Sequence, residues 1–309
     1  MIRRPPRSTQ GVSSAASDVY KRQTRDDTSA RMERMVTVTE KLLRNKGRPV
    51  VISDFSPPRG ADLSTVEQAK EIGADFVCVA YSPGKSVRVD SVAMAHVLSL
   101  KGEQDVIFNL SVRDMNKLAI QGHLLGAHLL GLENVIVLQG DGMTDRDLPQ
   151  FKNVSDYRPT QLIKDITRLN QGLDFRGLKL RTATNFCIGA VIDFNKELQT
   201  EASRARAKVE SGADFFLAQA FYQIEEANQF KAAYRQLTGH DFPRPIFYGV
   251  PILREDGITF GNIPTKVRRD LEQGRSGIDI ALEQLQNFIQ NDMTTIYLVP
   301  PILRGGRSC

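Results

Sequence analysis

Eight short apolar runs rich in β-forming residues alternate with longer stretches of helical periodicity from Val50 onward. The runs are Val50–Phe55, Phe76–Tyr81, Val106–Leu110, Val135–Leu138, Arg181–Ile188, Phe215–Ala220, Pro245–Val250 and Thr295–Val299. Continuous apolar strands separated by helices are typical of βα units whose parallel sheet is buried on both faces. Eight such units over about 250 residues match a (β/α)8 TIM barrel. The sequence therefore predicts a single-domain α/β barrel.

Helix candidates with capping residues lie before and between these runs. They are Arg31–Lys46, Ser91–Leu100, Lys117–Leu130, Thr160–Asn170, Glu201–Glu210, Glu225–Leu237 and Ile278–Asn291. A repeated Gly-Ala-Asp-Phe string leads into the second and sixth runs, as expected for a closed barrel with related halves. Gly73 and Gly212 are each expected to end a helix in a left-handed conformation. The alternative is that the string simply forms a favourable turn from helix to strand, which occurs twice without any relation between the halves. This alternative explains the repeat equally well.

The positive charge of the chain is concentrated at its N-terminus. The formal net charge is +5, and residues 1–23 carry five basic side chains and one acid, hence +4 of it. This Arg- and Ser-rich segment has the composition of a transit peptide, but it resembles a translated sequencing adapter more closely. We expect residues 1–23 to be disordered and residues 24–309 to form the barrel. The rest of the chain is nearly neutral, so no nucleic-acid partner is predicted.

The cysteines and the hydropathy pattern indicate the compartment. Cys78, Cys187 and Cys309 lack the spacing of a metal site, and a sparse, odd count is typical of a reducing environment. No run reaches the roughly 18 apolar residues of a membrane helix. A cytoplasmic protein without a metal ion or membrane partner is predicted. Because the sequence stops soon after the eighth run, we also expect the helix that would cover that strand to be missing.

Three polar residues stand at the ends of apolar runs, where a barrel places its chemistry. Asp54 is costly inside an apolar strand, and burial would raise its pKa toward the range useful for proton donation. Asp141 follows the fourth run between Gly140 and Gly142. Gln219 offers the donor and acceptor that a pterin or flavin edge requires. The alternatives are a loop hydrogen bond for Asp54, a simple turn at Asp141 and a strand-tying role for Gln219.

Several segments together resemble the methylenetetrahydrofolate reductase family, over a stretch from about Val50 to Leu303. They are Asp54–Gly60, Leu110–Asn116, Leu124–Ala127, Gly131–Val135, Gly140–Asp141 and Lys208–Phe215 with Gln219. Asn185–Val191 is more similar to the branch sometimes fused to a homocysteine methyltransferase domain. That stretch lacks the Tyr-Pro-x-x-His element of other members.

The resemblance implies a (β/α)8 flavoprotein oxidoreductase of one-carbon metabolism and methionine biosynthesis. In this family FAD takes a hydride from NADH or NADPH and passes it to 5,10-methylenetetrahydrofolate, giving 5-methyltetrahydrofolate. Asp54 matches the acid that protonates the folate, although the family usually has Glu there. Asp141 would lie between flavin and pterin, and Gln219 and Tyr297 would bind the folate substrate. The implied FAD-binding residues are Tyr81, Asn109, Gln139, Gly140, Asp141, Glu201 and Lys208.

The departures from the family pattern keep other hypotheses open. Gln139 stands where an Arg is frequent in the family. This departure concerns the hydride donor and the binding of FAD, and not the fold. A related flavin- or pterin-binding barrel subunit could receive electrons from a redox partner protein, such as an iron-sulfur protein, instead of from NAD(P)H. A non-catalytic binding protein is the third hypothesis. A homo-oligomer is compatible with each of them.

Overall fold

The computed structural model describes residues 35–45, 47–101, 104–254, 257–258 and 262–303. Within these residues eight parallel strands close into a barrel in which each strand pairs with the next and the last pairs with the first. They are β1 (Val50–Phe55), β2 (Phe76–Val79), β3 (Val106–Ser111), β4 (Asn134–Leu138), β5 (Cys187–Ile192), β6 (Phe215–Ala220), β7 (Ile246–Pro251) and β8 (Thr295–Val299). The predicted (β/α)8 barrel is confirmed.

Nine helices lie in the described residues, of which the first precedes β1 and the others connect successive strands. They are α1 (Val38–Arg44), α2 (Ser64–Lys70), α3 (Ser91–Lys101), α4 (Lys117–Leu129), α5 (Pro159–Asn170), α6 (Leu198–Glu210), α7 (Ile224–Thr238), α8 (Thr265–Glu272) and α9 (Gly277–Gln290). The sequence pattern does not predict α2 and α8. α2 has seven residues and buries only Val66 and Ala69, and α8 has eight residues and buries none, so both are too short in apolar pattern to be recognised from the sequence.

The fifth strand lies further along the chain than predicted. The expected run Arg181–Ile188 contributes only its last two residues to β5, which covers Cys187–Ile192. The expected run begins with three exposed residues, Arg181, Thr182 and Ala183. The β-branched residues of this segment are therefore not sufficient to place it in the sheet. Gly189 of β5 packs so closely that a Cβ there would lie 2.5 Å from Phe215 Cζ. Thr184 and Phe186 are buried but precede the strand, so neither burial nor local propensity alone sets its first residue.

The two glycines of the repeated string behave differently. Gly212 has φ +109° and follows the end of α6, as predicted. Gly73 is not in the left-handed region, because α2 already ends at Lys70 with Glu71 as its C-cap. The prediction of a left-handed cap at Gly73 is wrong, so the repeat gives no independent support for related halves.

A polar contact joins α1 to the barrel. The Val38 amide donates to Asn134 Oδ1 at 2.9 Å, and Asn134 Nδ2 donates to the Val36 carbonyl at 3.1 Å. Val38 is fully buried and packs in one cluster with Ile52 and Phe215. The opposite ends of the strands, where the carboxyl termini lie, remain available for a site.

Two expectations concern other parts of the chain. Residues 1–23 and the segment after Leu303 lie outside the described residues, so disorder in the first and a missing last helix stay predictions. In the part of the chain that the structure describes, no helix is long and apolar enough to cross a membrane.

Candidate active site

A cavity of about 200 Å³ opens at the carboxyl ends of the barrel strands. Its walls carry polar residues from the ends of six strands, namely Asp54, Tyr81, Asn109, Asp141, Gln219 and Tyr297. Gly140 lines it as well. The structure thus brings together seven of the residues that the sequence singles out. The C-terminal side is where barrels of this type place their binding sites.

Asp54 and Tyr297 form a hydrogen-bonded pair where the barrel closes. Ile52 of β1 is the register partner of Tyr297 on β8. The Tyr297 hydroxyl donates to Asp54 Oδ1 at 3.1 Å. Burial raises the pKa of Asp54 from 3.8 to about 6, and the hydrogen bond from Tyr297 lowers it in part. Burial also raises the pKa of Tyr297 well above its usual value, with the Asp54 charge adding to the effect.

Cys78 and Asn109 lie beside this pair and were not predicted to interact. Cys78 is the register partner of Asp54 in the β1–β2 pair, and its thiol donates to Asn109 Oδ1 at 3.4 Å. Burial raises the pKa of the Cys78 thiol well above its ordinary value, and the charge of Asp54 raises it further. Such a thiol is unreactive. Its effect on the site is to occupy the carbonyl oxygen of the Asn109 amide.

The turn after β4 depends on Gly140. This residue has φ +79°, and a Cβ built on it would lie 2.4 Å from Ser111 Oγ. The left-handed backbone and the close approach both require glycine. Asp141 follows with an exposed side chain at the cavity mouth. Gln139 does not line the cavity, and instead borders an adjoining recess of about 150 Å³ that shares Gly140 and Asp141.

Arg113 is a buried cation in the cavity wall that the sequence interpretation missed. It is only 8% exposed. Its Nε and Nη2 each donate to the Asp114 carboxylate at 2.6 Å, and Nη1 donates to the Asp141 carbonyl at 3.2 Å. Asp114 also accepts from Tyr81, whose pKa is raised to about 12, first by burial and then by the Asp114 charge. The Arg-Asp pair directly after an apolar strand was the available signal.

Gln219 owes its position to an irregularity in the barrel. The β6–β7 register shifts between Leu217 and Ala220, so Gln219 falls within the bulge. Its side chain is exposed to the cavity and makes no hydrogen bond with the described residues. Gly249 permits this arrangement, because a Cβ there would lie 2.6 Å from a backbone carbonyl of β6. The Gln219 amide therefore faces the cavity without a hydrogen bond to a neighbouring strand of the described structure.

Glu201 and Lys208 lie on α6, away from the cavity lining. Glu201 Oε1 accepts from the Asp193 amide at 3.2 Å. Lys208 Nζ donates to the Val191 carbonyl at 2.5 Å, and burial lowers the pKa of this lysine. Val191 itself lines the cavity, so Lys208 is one residue removed from it. Both residues brace β5 and its following loop in this structure.

Comparison with known proteins places the fold and the site in context. The family model described as "Methylenetetrahydrofolate reductase" matches residues 39–258. "Methylenetetrahydrofolate reductase 1" of Schizosaccharomyces pombe (strain 972 / ATCC 24843) is 23% identical over 290 residues. That alignment covers 84% of this chain but 45% of the relative, so the chain spans less than half of the relative's length.

Among solved structures, an uncharacterized protein from Clostridium thermocellum that binds two copies of 5-methyl-5,6,7,8-tetrahydrofolic acid is similar in fold. The TM-score is 0.56 at 13% sequence identity, and the match covers 85% of this chain and 92% of that one. Identity this low supports the barrel alone.

Proposed function

The chain belongs to the methylenetetrahydrofolate reductase family, and from that premise we propose that it reduces 5,10-methylenetetrahydrofolate to 5-methyltetrahydrofolate with a bound flavin and NADH or NADPH. The observation that carries the proposal is the Asp54–Tyr297 pair. It presents a carboxyl whose pKa is raised to about 6, and it shares one cavity with Asp141 and Gln219. Each of these groups has a task in that reaction.

Asp54 is the proposed proton donor. Opening the five-membered ring of the folate substrate requires a proton at N10, and an acid is most effective when its pKa lies near the working pH. An ordinary aspartate would be almost fully ionised at pH 6, whereas this carboxyl remains about half protonated there. Asp is one methylene shorter than the usual Glu. The Tyr297 hydroxyl, on the neighbouring strand, holds the shorter side chain in one orientation.

Gln219 is the proposed binding group for the pterin edge. Its amide can donate and accept at once, and it has no competing partner within the described residues. Asp141, at the mouth of the same cavity, is the proposed contact of both ring systems. Binding through several directed hydrogen bonds would fix the substrate relative to Asp54, which is the main contribution that a protein scaffold makes to such a reaction.

The residues around the cavity fit the ring end of a flavin. Tyr81, Asn109 and Gly140 would hold it, and when bound it would supply the hydride transfer that no side chain can perform. The cavity of about 200 Å³ is smaller than whole-cofactor sites, which span roughly 300–1,000 Å³, so it would enclose only the reacting part of the flavin and folate rings. Lys208 would reach a diphosphate only by leaving the Val191 carbonyl.

An anaerobic two-step assay on the full chain tests the proposal. The bound flavin is first reduced by NADH, by NADPH or by light, and 5,10-methylenetetrahydrofolate is then added while flavin absorbance is recorded. Reoxidation with formation of 5-methyltetrahydrofolate is the expected result. A bound, photoreduced flavin that the folate does not reoxidise would overturn the proposal. Reoxidation after photoreduction, but no reduction by either nicotinamide, would assign the electron supply to a partner protein.

A further inference from the structure

The Asp141 carboxylate has no hydrogen-bond partner of its own among the described residues, so the turn that carries it sets its direction. That turn begins at Gly140, which is left-handed with φ +79°. The neighbouring β3 strand supplies one hydrogen bond to it, because Ser111 Oγ donates to the Gln139 carbonyl at 3.5 Å. This contact is long for a hydrogen bond and contributes little. The stronger restraints come from two cations.

Arg113 supplies the inner restraint. Its guanidinium is fixed by two 2.6 Å hydrogen bonds to Asp114, and its remaining Nη1 donates to the Asp141 carbonyl at 3.2 Å. A paired guanidinium has a fixed plane, so the position of its third donor is fixed as well. Because Arg113 is only 8% exposed, little water competes for its own donors. The backbone of the Asp141 turn is thus tied to the end of β3.

Lys85 supplies the outer restraint. It belongs to the short turn after β2, and its Nζ donates to the Gly142 carbonyl at 3.0 Å and to Asp147 Oδ2 at 2.5 Å. Lys85 has φ +55° and Ser82 has φ +39°, conformations that non-glycine residues adopt only at a cost. The contacts across to the β4 turn offset that cost. Two successive carbonyls, of Asp141 and Gly142, are therefore held by cations from two other loops.

We propose that Arg113 is a positioning residue for the reaction: through Asp114 and the Asp141 carbonyl, it sets the direction in which the Asp141 carboxylate faces the cavity. The inference rests on the proposed function for the role of Asp141. It does not require Arg113 to touch substrate or cofactor. Lys at position 113 would keep the charge, but an ammonium cannot hold Asp114 with two parallel donors and also reach the Asp141 carbonyl.

Hydrogen exchange measures this restraint without reference to activity. Backbone amides of residues 139–147 are followed by mass spectrometry in the wild-type chain and in Arg113→Lys and Asp114→Asn. We expect exchange in this segment to become about tenfold faster in both variants, which corresponds to about 1.4 kcal/mol of lost local stability. Arg206→Gln is the matched control, because Arg206 pairs with Glu210 on the exposed face of α6. Its exchange should equal that of the wild type in residues 139–147.

A double-mutant cycle with Asp141 connects the restraint to the reaction. Arg113→Lys is expected to lower the rate of the folate step about tenfold to a hundredfold, as a misplacement of about 1 Å does. In Asp141→Asn the same change should cost nothing more, because the group that Arg113 orients is gone. Additive losses, or unchanged exchange in residues 139–147, would overturn the inference. If the wild type does not turn over folate, the proposed function fails, while exchange still decides whether Arg113 holds the turn.

Discussion

The Tyr297 hydroxyl donates to Asp54 Oδ1 at 3.1 Å across the seam where β8 meets β1. The last strand of the barrel thereby restrains the polar side chain of the first. Because Tyr297 donates, it stabilises the carboxylate and opposes the effect of burial on the Asp54 pKa. The closure of the barrel and the acidity of the proposed proton donor are therefore linked.

Removing the donor should make Asp54 a weaker acid. In Tyr297→Phe we expect the Asp54 pKa to rise above about 6, because burial is then unopposed. A folate step that needs protonated Asp54 would stay active to higher pH, with its midpoint raised by about half a unit to one unit. The measurement is the rate of flavin reoxidation by the folate substrate between pH 5 and 9. A midpoint that is unchanged or lower would contradict the assigned direction of the hydrogen bond.

The raised pKa also predicts how stability depends on pH. The folded-state pKa of Asp54 is raised from 3.8 to about 6, so its favourable contribution is complete below about pH 4 and is lost as pH rises through about 6. Asn cannot ionise. Asp54→Asn should therefore come closest to the wild type near pH 4 and exceed its free energy of unfolding by up to about 3 kcal/mol at pH 8. Urea denaturation of both proteins at the two pH values checks this. The prediction fails if the free energies of unfolding of variant and wild type differ by the same amount at pH 4 and pH 8.

Gln219 should affect folate binding and not flavin reduction. Gln219→Leu keeps the approximate volume of the side chain but removes the only polar group that it offers the cavity. We expect the KM for the folate substrate to rise about tenfold to a hundredfold, the range for one lost hydrogen-bonding group. Photoreduction of the bound flavin should be unchanged. Gln229→Leu, on the exposed side of α7, is the control and should leave KM unaltered.

Two glycines of the fold should respond in opposite ways to alanine. At Gly189 of β5 a Cβ would lie 2.5 Å from Phe215 Cζ and 2.7 Å from Ile136 Cγ1, so Gly189→Ala should lower the free energy of unfolding by about 1–3 kcal/mol. At Gly122 of α4 no atom lies within 4 Å of the added carbon. Gly122→Ala should raise stability by about 0.5–1 kcal/mol, as helix propensity predicts. Urea unfolding of both variants gives the comparison. A change in the free energy of unfolding of the same sign in both variants would contradict this packing.

The sequence predicts the barrel and the cavity residues at its strand ends for one reason. All strands of a parallel barrel end on the same side, so Asp54, Asp141 and Gln219 meet once the apolar runs are recognised as strands. The register of β6 relative to β7 could not be predicted from the apolar runs. Gln219 faces the cavity because of a bulge that depends on Gly249 of the next strand. Local periodicity contains no information on such a cross-strand contact.

The positions of charged side chains were harder to predict. The resemblance implies that Lys208 binds FAD, yet its ammonium is held by the Val191 carbonyl in the described structure. Arg113 was not singled out, although it is the buried cation of the cavity wall. The partner of a long, flexible side chain depends on tertiary geometry within a few ångström. Spacing along the chain does not determine it.

We propose that Asp54 donates the proton that the folate step needs, and a single-turnover experiment on Asp54→Asn tests this role most directly. The full chain is loaded with flavin, photoreduced without oxygen and mixed with 5,10-methylenetetrahydrofolate. We expect normal flavin binding and photoreduction, with reoxidation at least about a hundredfold slower than in the wild type, as expected for a lost general acid. Reoxidation at the wild-type rate, with flavin fully bound, would remove Asp54 from that role.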